Sequence, residues 1–197
     1  MHHILLNEDT VRDLLKPETA LEASFLEDST FYNGLLWGEP RFGHPEGQVV
    51  FHIAEVLENI NQLAIDAEMR RKLRLIAYAH DTFKYIEDKS MPRDWSKHHG
   101  VHARQFLEKH ITELDVLKVT ELHDEAYHCW RFCSVAHDDT RSHEKLNAFI
   151  WRIEDTLQLF YLFFKCDTRT GDKIQTPVKW FEKLMANKIT ILELNDK

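Results

Sequence analysis

The chain of 197 residues is long enough for one buried core and too short for two ordinary domains, so we expect a single domain. Its residues are 43% hydrophobic and 29% charged, and six glycines with five prolines leave few of the tight turns that an all-β fold requires. The net charge of −8 excludes a broad, non-specific surface for nucleic acid or for an anionic membrane.

The cysteines and the N-terminal segment indicate a cellular compartment. Three cysteines cannot form a disulfide framework, and the spacing of Cys129 and Cys133 is not that of a zinc knuckle. The segment MHHILLNEDT lacks the charged and apolar regions of a signal peptide, and no apolar run approaches the roughly 18 residues that span a bilayer. We therefore expect a cytoplasmic protein with no membrane contact.

The spacing of apolar residues predicts an all-α fold. The first forty residues are typical of short helices, and residues 38–47, rich in Gly and Pro, are typical of an ordered loop. Apolar stripes at three- and four-residue steps then predict helices over residues 49–60, 73–84, 99–110, 116–130 and 145–166, and a last helix from Thr176. We expect the helix over residues 145–166 to be the most buried, and the polar segment 133–144 to be a loop that covers a pocket.

Four of these stripes carry a histidine on the apolar face, at His52, His80, His99 and His123. A single histidine in such a position is usually a core residue that is hydrogen-bonded to a backbone carbonyl. Asp81 changes this interpretation, because a buried ionised carboxylate needs a compensating cation. A metal ion is one such cation, and an Asp81–Lys84 ion pair is the simpler alternative.

Several sequence segments resemble a known family. His52, the His80–Asp81 pair and Asp167 resemble the H…HD…D signature of the HD superfamily of metal-dependent phosphohydrolases, over residues 44–172. More closely, GHPEGQVVFH, AHDTFK, HHGVHARQFL, ELHDEAYH and CDTRTG are similar, in this order, to the HD domain of bacterial tRNA nucleotidyltransferases. The catalytic head of those enzymes is missing, since no Gly-Gly leads to an Asp-x-Asp pair.

The resemblance implies a free-standing HD-type helical bundle with a central metal site. The single domain would cover residues 1–197, with an N-terminal helical extension over residues 1–40, the HD core over residues 44–172 and a C-terminal helix over residues 176–192.

The resemblance also implies a set of metal ligands. One divalent ion would be bound by His52, His80, Asp81 and Asp167. A second ion would be bound by His99 and His123, with Asp81 as a bridge between the two ions. His99 is preferred to His98 because the residues after His99 match the spacing of two-metal family members, so His98 is expected to be an exposed neighbour. Manganese, iron, nickel, cobalt and magnesium all suit this ligand set, as one or two ions.

Three residues are candidates for catalysis. Asp81 would hold the metal that activates water, and Lys84, at the lysine position of the family's HDxGK motif, would clamp a phosphate. Phe83 replaces the glycine of that motif, so it would narrow or reshape the pocket. Arg169 is a second candidate phosphate contact, and a solvated arginine at a helix end is the alternative.

Other residues have plainer interpretations. His44 either closes over the site or orders its own loop, and His128 is expected to be a surface or packing residue. We expect Trp95, Trp130 and Trp151 to pack in the core, although stacking on a nucleobase is the alternative.

The predicted function is hydrolysis of a phosphomonoester or phosphodiester in a small substrate such as a nucleotide or an RNA end with a 2′,3′-cyclic phosphate. The RNA-end part rests on the family analogy alone. One alternative is an HD-fold di-iron oxygenase, and another is a sensor module that binds a nucleotide without turnover. An exposed aromatic face leaves a homodimer open.

Overall fold

The computed structural model describes residues 6–134 and 139–194, and only the backbone of residues 139–142 among them. Within this part of the chain every regular element is a helix, which confirms the predicted all-α class. The α-helices are α1 (Glu8–Leu15), α2 (Ala20–Phe25), α3 (Ser29–Leu35), α4 (Val49–Asn61), α5 (Ala67–Ala79), α6 (His99–Leu107), α7 (Leu114–Leu122), α8 (Glu125–Ser134), α9 (Asp139–Ile153), α10 (Leu157–Thr168) and α11 (Thr176–Met185). None of the described helices is both long and apolar enough to cross a membrane.

Helix α10 forms the centre of the bundle. It packs against α4, α5, α7, α9 and α11, and almost all of its side chains are buried. Phe160 and Phe164 pack against Phe181 of α11 with ring centroids 5.8 and 5.9 Å apart. The most buried helix is therefore the C-terminal half of the predicted segment 145–166.

Two of the predicted continuous helices are interrupted. The stripe over residues 116–130 breaks at His123 and Asp124, which lie between α7 and α8. The stripe over residues 145–166 breaks at a 3-10 turn, Glu154–Thr156. There the Thr156 hydroxyl donates to the Ile153 carbonyl at 3.2 Å, and such side-chain bonds compete with the helical ladder.

The polar segment 133–144 was predicted to be a loop, and most of it is helical. α8 continues to Ser134 and α9 begins at Asp139, while residues 135–138 lie outside the described part of the chain. The first described side chains of α9 are exposed, namely His143, Glu144 and Lys145. The polar composition of this segment therefore reflects the solvent-facing part of a helix rather than a loop.

The predicted stripe over residues 73–84 also ends early. α5 ends at Ala79, so His80 and Asp81 lie in the turn that follows it. α3 approaches this turn at Gly34, where a Cβ atom would lie 1.8 Å from the carbonyl oxygen of Thr82. The turn that carries His80 and Asp81 is therefore fixed by direct backbone packing.

Two of the three tryptophans expected in the core are on the surface. Trp130 is buried as predicted, but Trp95 and Trp151 are 59% and 79% exposed. Trp151 lies off the apolar stripe of α9, which runs through Leu146, Phe149 and Ile153. Trp95 begins a short 3-10 turn in the polar connection before α6, where its ring contacts Arg93 and His98 rather than the core.

Candidate metal centre

The structure brings together all the residues that the sequence proposed as metal ligands. They come from five parts of the bundle: α4, the turn after α5, the first residue of α6, the residue after α7 and the last turn of α10. Five of the six have no more than 4% of their surface exposed, namely His52, His80, Asp81, His99 and His123. Asp167 is partly buried, with 17% of its side chain exposed.

The first donor set contains two histidines and two carboxylates. The Nε2 atoms of His52 and His80 are 3.1 Å apart. Oδ2 of Asp81 lies 3.5 Å from the first of these nitrogens and 3.6 Å from the second. Oδ1 of Asp167 lies 3.0 Å from His52 Nε2 and 3.7 Å from His80 Nε2. Four donor atoms thus surround one small volume.

The second donor set shares Asp81 with the first. The Nε2 atoms of His99 and His123 are 3.2 Å apart. The other carboxylate oxygen of Asp81, Oδ1, lies 3.6 Å from His99 Nε2 and 3.4 Å from His123 Nε2. Asp81 therefore directs one oxygen to each histidine pair.

These spacings fit the coordination shell of a metal ion. Ligands held about 2.1 Å from an ion lie about 3.0 to 3.4 Å apart along the edges of an octahedron or a tetrahedron. Most of the separations in both sets are close to this range. Each set can hold one divalent ion without a large rearrangement of its side chains.

The orientations of the imidazole rings place lone pairs at the centre of each set. Nδ1 of His80 lies 2.9 Å from the Ala77 carbonyl, and Nδ1 of His123 lies 2.9 Å from the Thr120 carbonyl. A carbonyl only accepts hydrogen bonds, so each Nδ1 carries the proton and each Nε2 presents a lone pair. This is the tautomer that binds a metal through Nε2.

Two glutamates face the remaining histidines. Oε1 of Glu46 lies 3.5 Å from Nδ1 of His52, and Oε1 of Glu87 lies 3.4 Å from Nδ1 of His99. Both carboxylate side chains are about 95% buried, with 5% and 4% exposed. A carboxylate behind a ligating histidine orients the ring and makes it a stronger ligand. Neither glutamate lies on a predicted apolar stripe, so the periodicity of the sequence does not point to it.

Burial favours the neutral form of three of the four histidines, while the pKa of His123 is raised, since its contact with Asp81 outweighs the effect of burial. Burial lowers the pKa of His80 to about 3 and that of His99 to about 4. Burial alone would raise the pKa of Asp81, but the nearby charge of Lys84 and the His80 ring outweigh it and hold that pKa well below its usual value. Neutral imidazoles and ionised carboxylates are the forms that bind metal ions.

The Asp81–Lys84 ion pair, the simpler alternative from the sequence, is present. Lys84 Nζ lies 2.5 Å from Oδ2 of Asp81. It contacts Oδ2 and leaves Oδ1 of Asp81 buried, without a hydrogen-bond partner among the residues that the structure describes. A buried carboxylate oxygen without a donor is costly, and a cation between it and the lone pairs of His99 and His123 would remove that cost. The donor set therefore fits a metal ion better than the ion pair alone.

A cavity of about 440 Å³ opens on the two carboxylates of the first donor set, Asp81 and Asp167, and on His123 of the second. Two lysines line it: Lys84 beside Asp81, and Lys173, whose ammonium lies 3.0 Å from Oδ1 of Asp167. Phe42 and Tyr127 supply aromatic surface. The cavity thus combines metal-binding atoms, two cations and apolar walls.

Arg169, a predicted phosphate contact, is not among the described residues that line this cavity. Its guanidinium donates to the Leu194 carbonyl at 3.3 Å, because the chain turns at the end of α10 and directs the side chain toward the C-terminal segment. Lys173 lies against Asp167 instead. The sequence contained this lysine in the polar segment after Asp167, but periodicity gives no orientation to a residue outside a helix.

His98, expected to be exposed, is 8% exposed. Its Nδ1 accepts a hydrogen bond from the amide of Gly100 at 3.2 Å, so its Nε2 carries the proton. That nitrogen lies 3.5 Å from both Glu87 and Asp124. Gly100 allows this arrangement, because a Cβ there would lie 2.5 Å from the Glu121 carbonyl oxygen.

His44 both orders its loop and reaches the cavity. Its Nδ1 lies 2.9 Å from Oε1 of Glu46, and its ring lines the cavity beside Gly43. His128 likewise lines the cavity.

Comparisons of this chain with family models, with curated proteins and with solved structures found no match. The fold and the site define an all-α protein in which buried histidine and carboxylate groups can hold a metal ion.

Proposed function

We propose that the protein is a metal-dependent phosphohydrolase that acts on a phosphomonoester or phosphodiester, in a nucleotide or an RNA end. The observation that carries the proposal is the shared carboxylate of Asp81 between two histidine pairs, beside a cavity that contains two lysines. The resemblance to HD-type phosphohydrolases supports the same reaction class, and the RNA-end substrate rests on that analogy.

The residues of the site have separate proposed roles. His52, His80, Asp81 and Asp167 would hold one divalent ion, and His99 and His123, with Asp81, would hold a second. Bound divalent ions supply a water of lowered pKa and neutralise charge on phosphoryl oxygens. Lys84 and Lys173 lie where the donor atoms meet the cavity, so they can bind the non-bridging phosphate oxygens and orient the phosphorus.

The side walls of the cavity would bind the rest of the substrate. Phe42 and Tyr127 offer aromatic surface for a nucleobase or sugar.

Phe83 is the residue that departs from the HDxGK pattern. It is 3% exposed and packs against Phe31 and Phe106. Phe83 therefore belongs to the core behind the site and does not narrow the cavity directly.

The test is metal-dependent release of p-nitrophenol from p-nitrophenyl phosphate and bis-p-nitrophenyl phosphate, with manganese, nickel, cobalt and magnesium in turn. Wild type is expected to be active with at least one metal, and Asp81→Ala to lose that activity. Asp13→Ala, an exposed aspartate on α1, is the matched control and should behave as wild type. Equal activity in wild type and Asp81→Ala would refute the proposal.

The shared carboxylate also favours a second candidate, since two histidine pairs joined by Asp81 suit two iron ions. A di-iron oxygenase would consume oxygen after iron loading and would release no p-nitrophenol in the phosphatase assays. A sensor module would show a higher melting temperature with nucleotide and no turnover with any metal.

A further inference from the structure

A second and larger cavity adjoins the one at the metal centre. It has a volume of about 770 Å³ and lies among α6, α7, α8 and α9. His128 lines both cavities. Asp124, in the wall of the smaller one, has its Oδ2 3.5 Å from Nε2 of His98 in the larger one. The two cavities therefore adjoin at His128 and at the Asp124–His98 contact, and together they are called the groove.

Exposed cations line the larger cavity. Arg131 and Lys145 are exposed, and neither is paired with a carboxylate among the described residues. Arg152 is also present, but it donates to Glu121 at 3.0 Å, which neutralises that glutamate. Among the described residues of the lining, Glu125 is the remaining acidic one, so the unpaired cations there outnumber the unpaired carboxylate. On a chain with a net charge of −8, this local excess favours an anionic ligand.

Aromatic rings lie beside these cations. Trp95 is 59% exposed and carries the Arg93 guanidinium 5.4 Å from its ring centroid. The ammonium of Lys145 lies 4.7 Å from the ring centroid of Phe132. Aromatic faces on which bases stack, with cations beside them for the phosphates, are the features by which proteins bind single-stranded nucleic acid.

We propose that the groove binds a short single-stranded oligonucleotide, with its terminal phosphate at the metal centre and its following nucleotides in the larger cavity. This rests on the proposed phosphohydrolase function and narrows its substrate to an oligonucleotide end rather than a free mononucleotide. It also explains why a strongly acidic chain retains exposed Trp95, Arg131 and Lys145 in one concave surface.

Binding to the manganese-loaded protein is measured as the fluorescence anisotropy of a labelled uridine trinucleotide that ends in a phosphorothioate, which slows turnover. Wild type is expected to bind the trinucleotide about tenfold or more tightly than uridine monophosphate, which is added as a competitor. The double variant Arg131→Glu, Lys145→Glu should weaken trinucleotide binding by about tenfold or more. Trp95→Ala should weaken it by several-fold through lost stacking.

The matched control is Lys183→Glu with Lys188→Glu, which makes the same change in net charge at exposed positions outside both cavities. It should change trinucleotide affinity by less than about twofold. The inference is overturned if the control and the groove variant weaken binding equally, or if uridine monophosphate competes as well as unlabelled trinucleotide. Since p-nitrophenyl substrates test hydrolysis separately, failure of this binding test is distinguishable from failure of the proposed function.

Discussion

Oδ1 of Asp81 lies 3.4 Å from Nε2 of His123, and this buried oxygen has no hydrogen-bond partner among the described residues when the ring is neutral. In the neutral ring the His123 nitrogen presents a lone pair, because its Nδ1 faces the Thr120 carbonyl. Two electron-rich atoms in such contact repel each other unless a cation lies between them. A proton on His123 fills this role in the metal-free protein, because the contact with Asp81 raises the pKa of that histidine. A divalent ion at the second donor set could take the place of the proton.

The two glutamates behind the ligands allow the sites to be tested separately. Glu46→Gln should lower metal affinity at the first donor set, and Glu87→Gln at the second, each by about 10- to 100-fold, because the histidine loses its orienting carboxylate. Isothermal titration with manganese measures both steps. Glu58→Gln, an exposed glutamate of α4, is the control and should leave both affinities unchanged. Unchanged affinities in Glu46→Gln and Glu87→Gln would show that neither carboxylate supports a ligand.

The two cavity lysines should bind the anionic part of the substrate. Lys84→Met and Lys173→Met should each weaken competitive inhibition by inorganic phosphate by about tenfold, since each removes a charge-assisted hydrogen bond. Inhibition constants are compared at equal metal content. Lys179→Met, on an exposed position of α11, should inhibit like wild type. If both lysine variants keep the inhibition constant of wild type, phosphate binds elsewhere on the protein.

Gly34 should be essential for the turn that holds His80 and Asp81. Gly34→Ala would bring a Cβ atom to 1.8 Å from the Thr82 carbonyl oxygen, so α3 and the turn must move apart. We expect a loss of about 1 to 3 kcal/mol in the free energy of unfolding. Urea denaturation measures it. Asn33→Ala, exposed on the same helix, should cost less than about 0.5 kcal/mol, and an equal loss in the two variants would contradict the packing argument.

The metal-free protein should lose stability in mild acid. Burial lowers the folded-state pKa of His80 to about 3 and of His99 to about 4, whereas an unfolded histidine titrates near pH 6.5. Between about pH 6.5 and pH 4 the unfolded chain binds more protons, so the free energy of unfolding falls as the pH falls, by about 1 kcal/mol per unit for each histidine. Burial lowers the pKa of His123, but its contact with Asp81 and the charge of Asp124 outweigh burial and raise that pKa. This histidine therefore changes the free energy of unfolding only above this pH range.

Urea denaturation in EDTA at several pH values measures this slope. His99→Asn should make it shallower, because one titrating group is removed. His143→Asn, an exposed histidine of α9, should leave it as in wild type. A slope in wild type that His99→Asn does not reduce would contradict the assignment.

Much of the donor set could be predicted from the sequence because His52 and His99 lie on helices, and because His80 and His123, just after α5 and α7, keep helical backbone angles. A helical period fixes the direction of a side chain, so inward histidines on neighbouring helices converge. The helical period did not predict that helices end near His123 and Thr156, because local hydrogen bonds and turns end a helix without changing the apolar pattern.

The supporting residues could not be found in this way. Glu46 and Glu87 lie outside α4 and α6 in the chain, and their approach to His52 and His99 depends on loop paths that no periodicity describes. Lys173 contacts Asp167 for a similar reason, while Arg169, closer in sequence, is directed away by the end of α10.

If Asp81 joins two metal sites, as proposed, each folded chain binds two manganese ions, and this number can be measured. Equilibrium dialysis followed by elemental analysis should find two ions in wild type and in His143→Ala, an exposed histidine control. It should find fewer than one ion in Asp81→Ala, because both donor sets lose an oxygen. Two ions retained by folded Asp81→Ala, or none bound by wild type, would contradict the account.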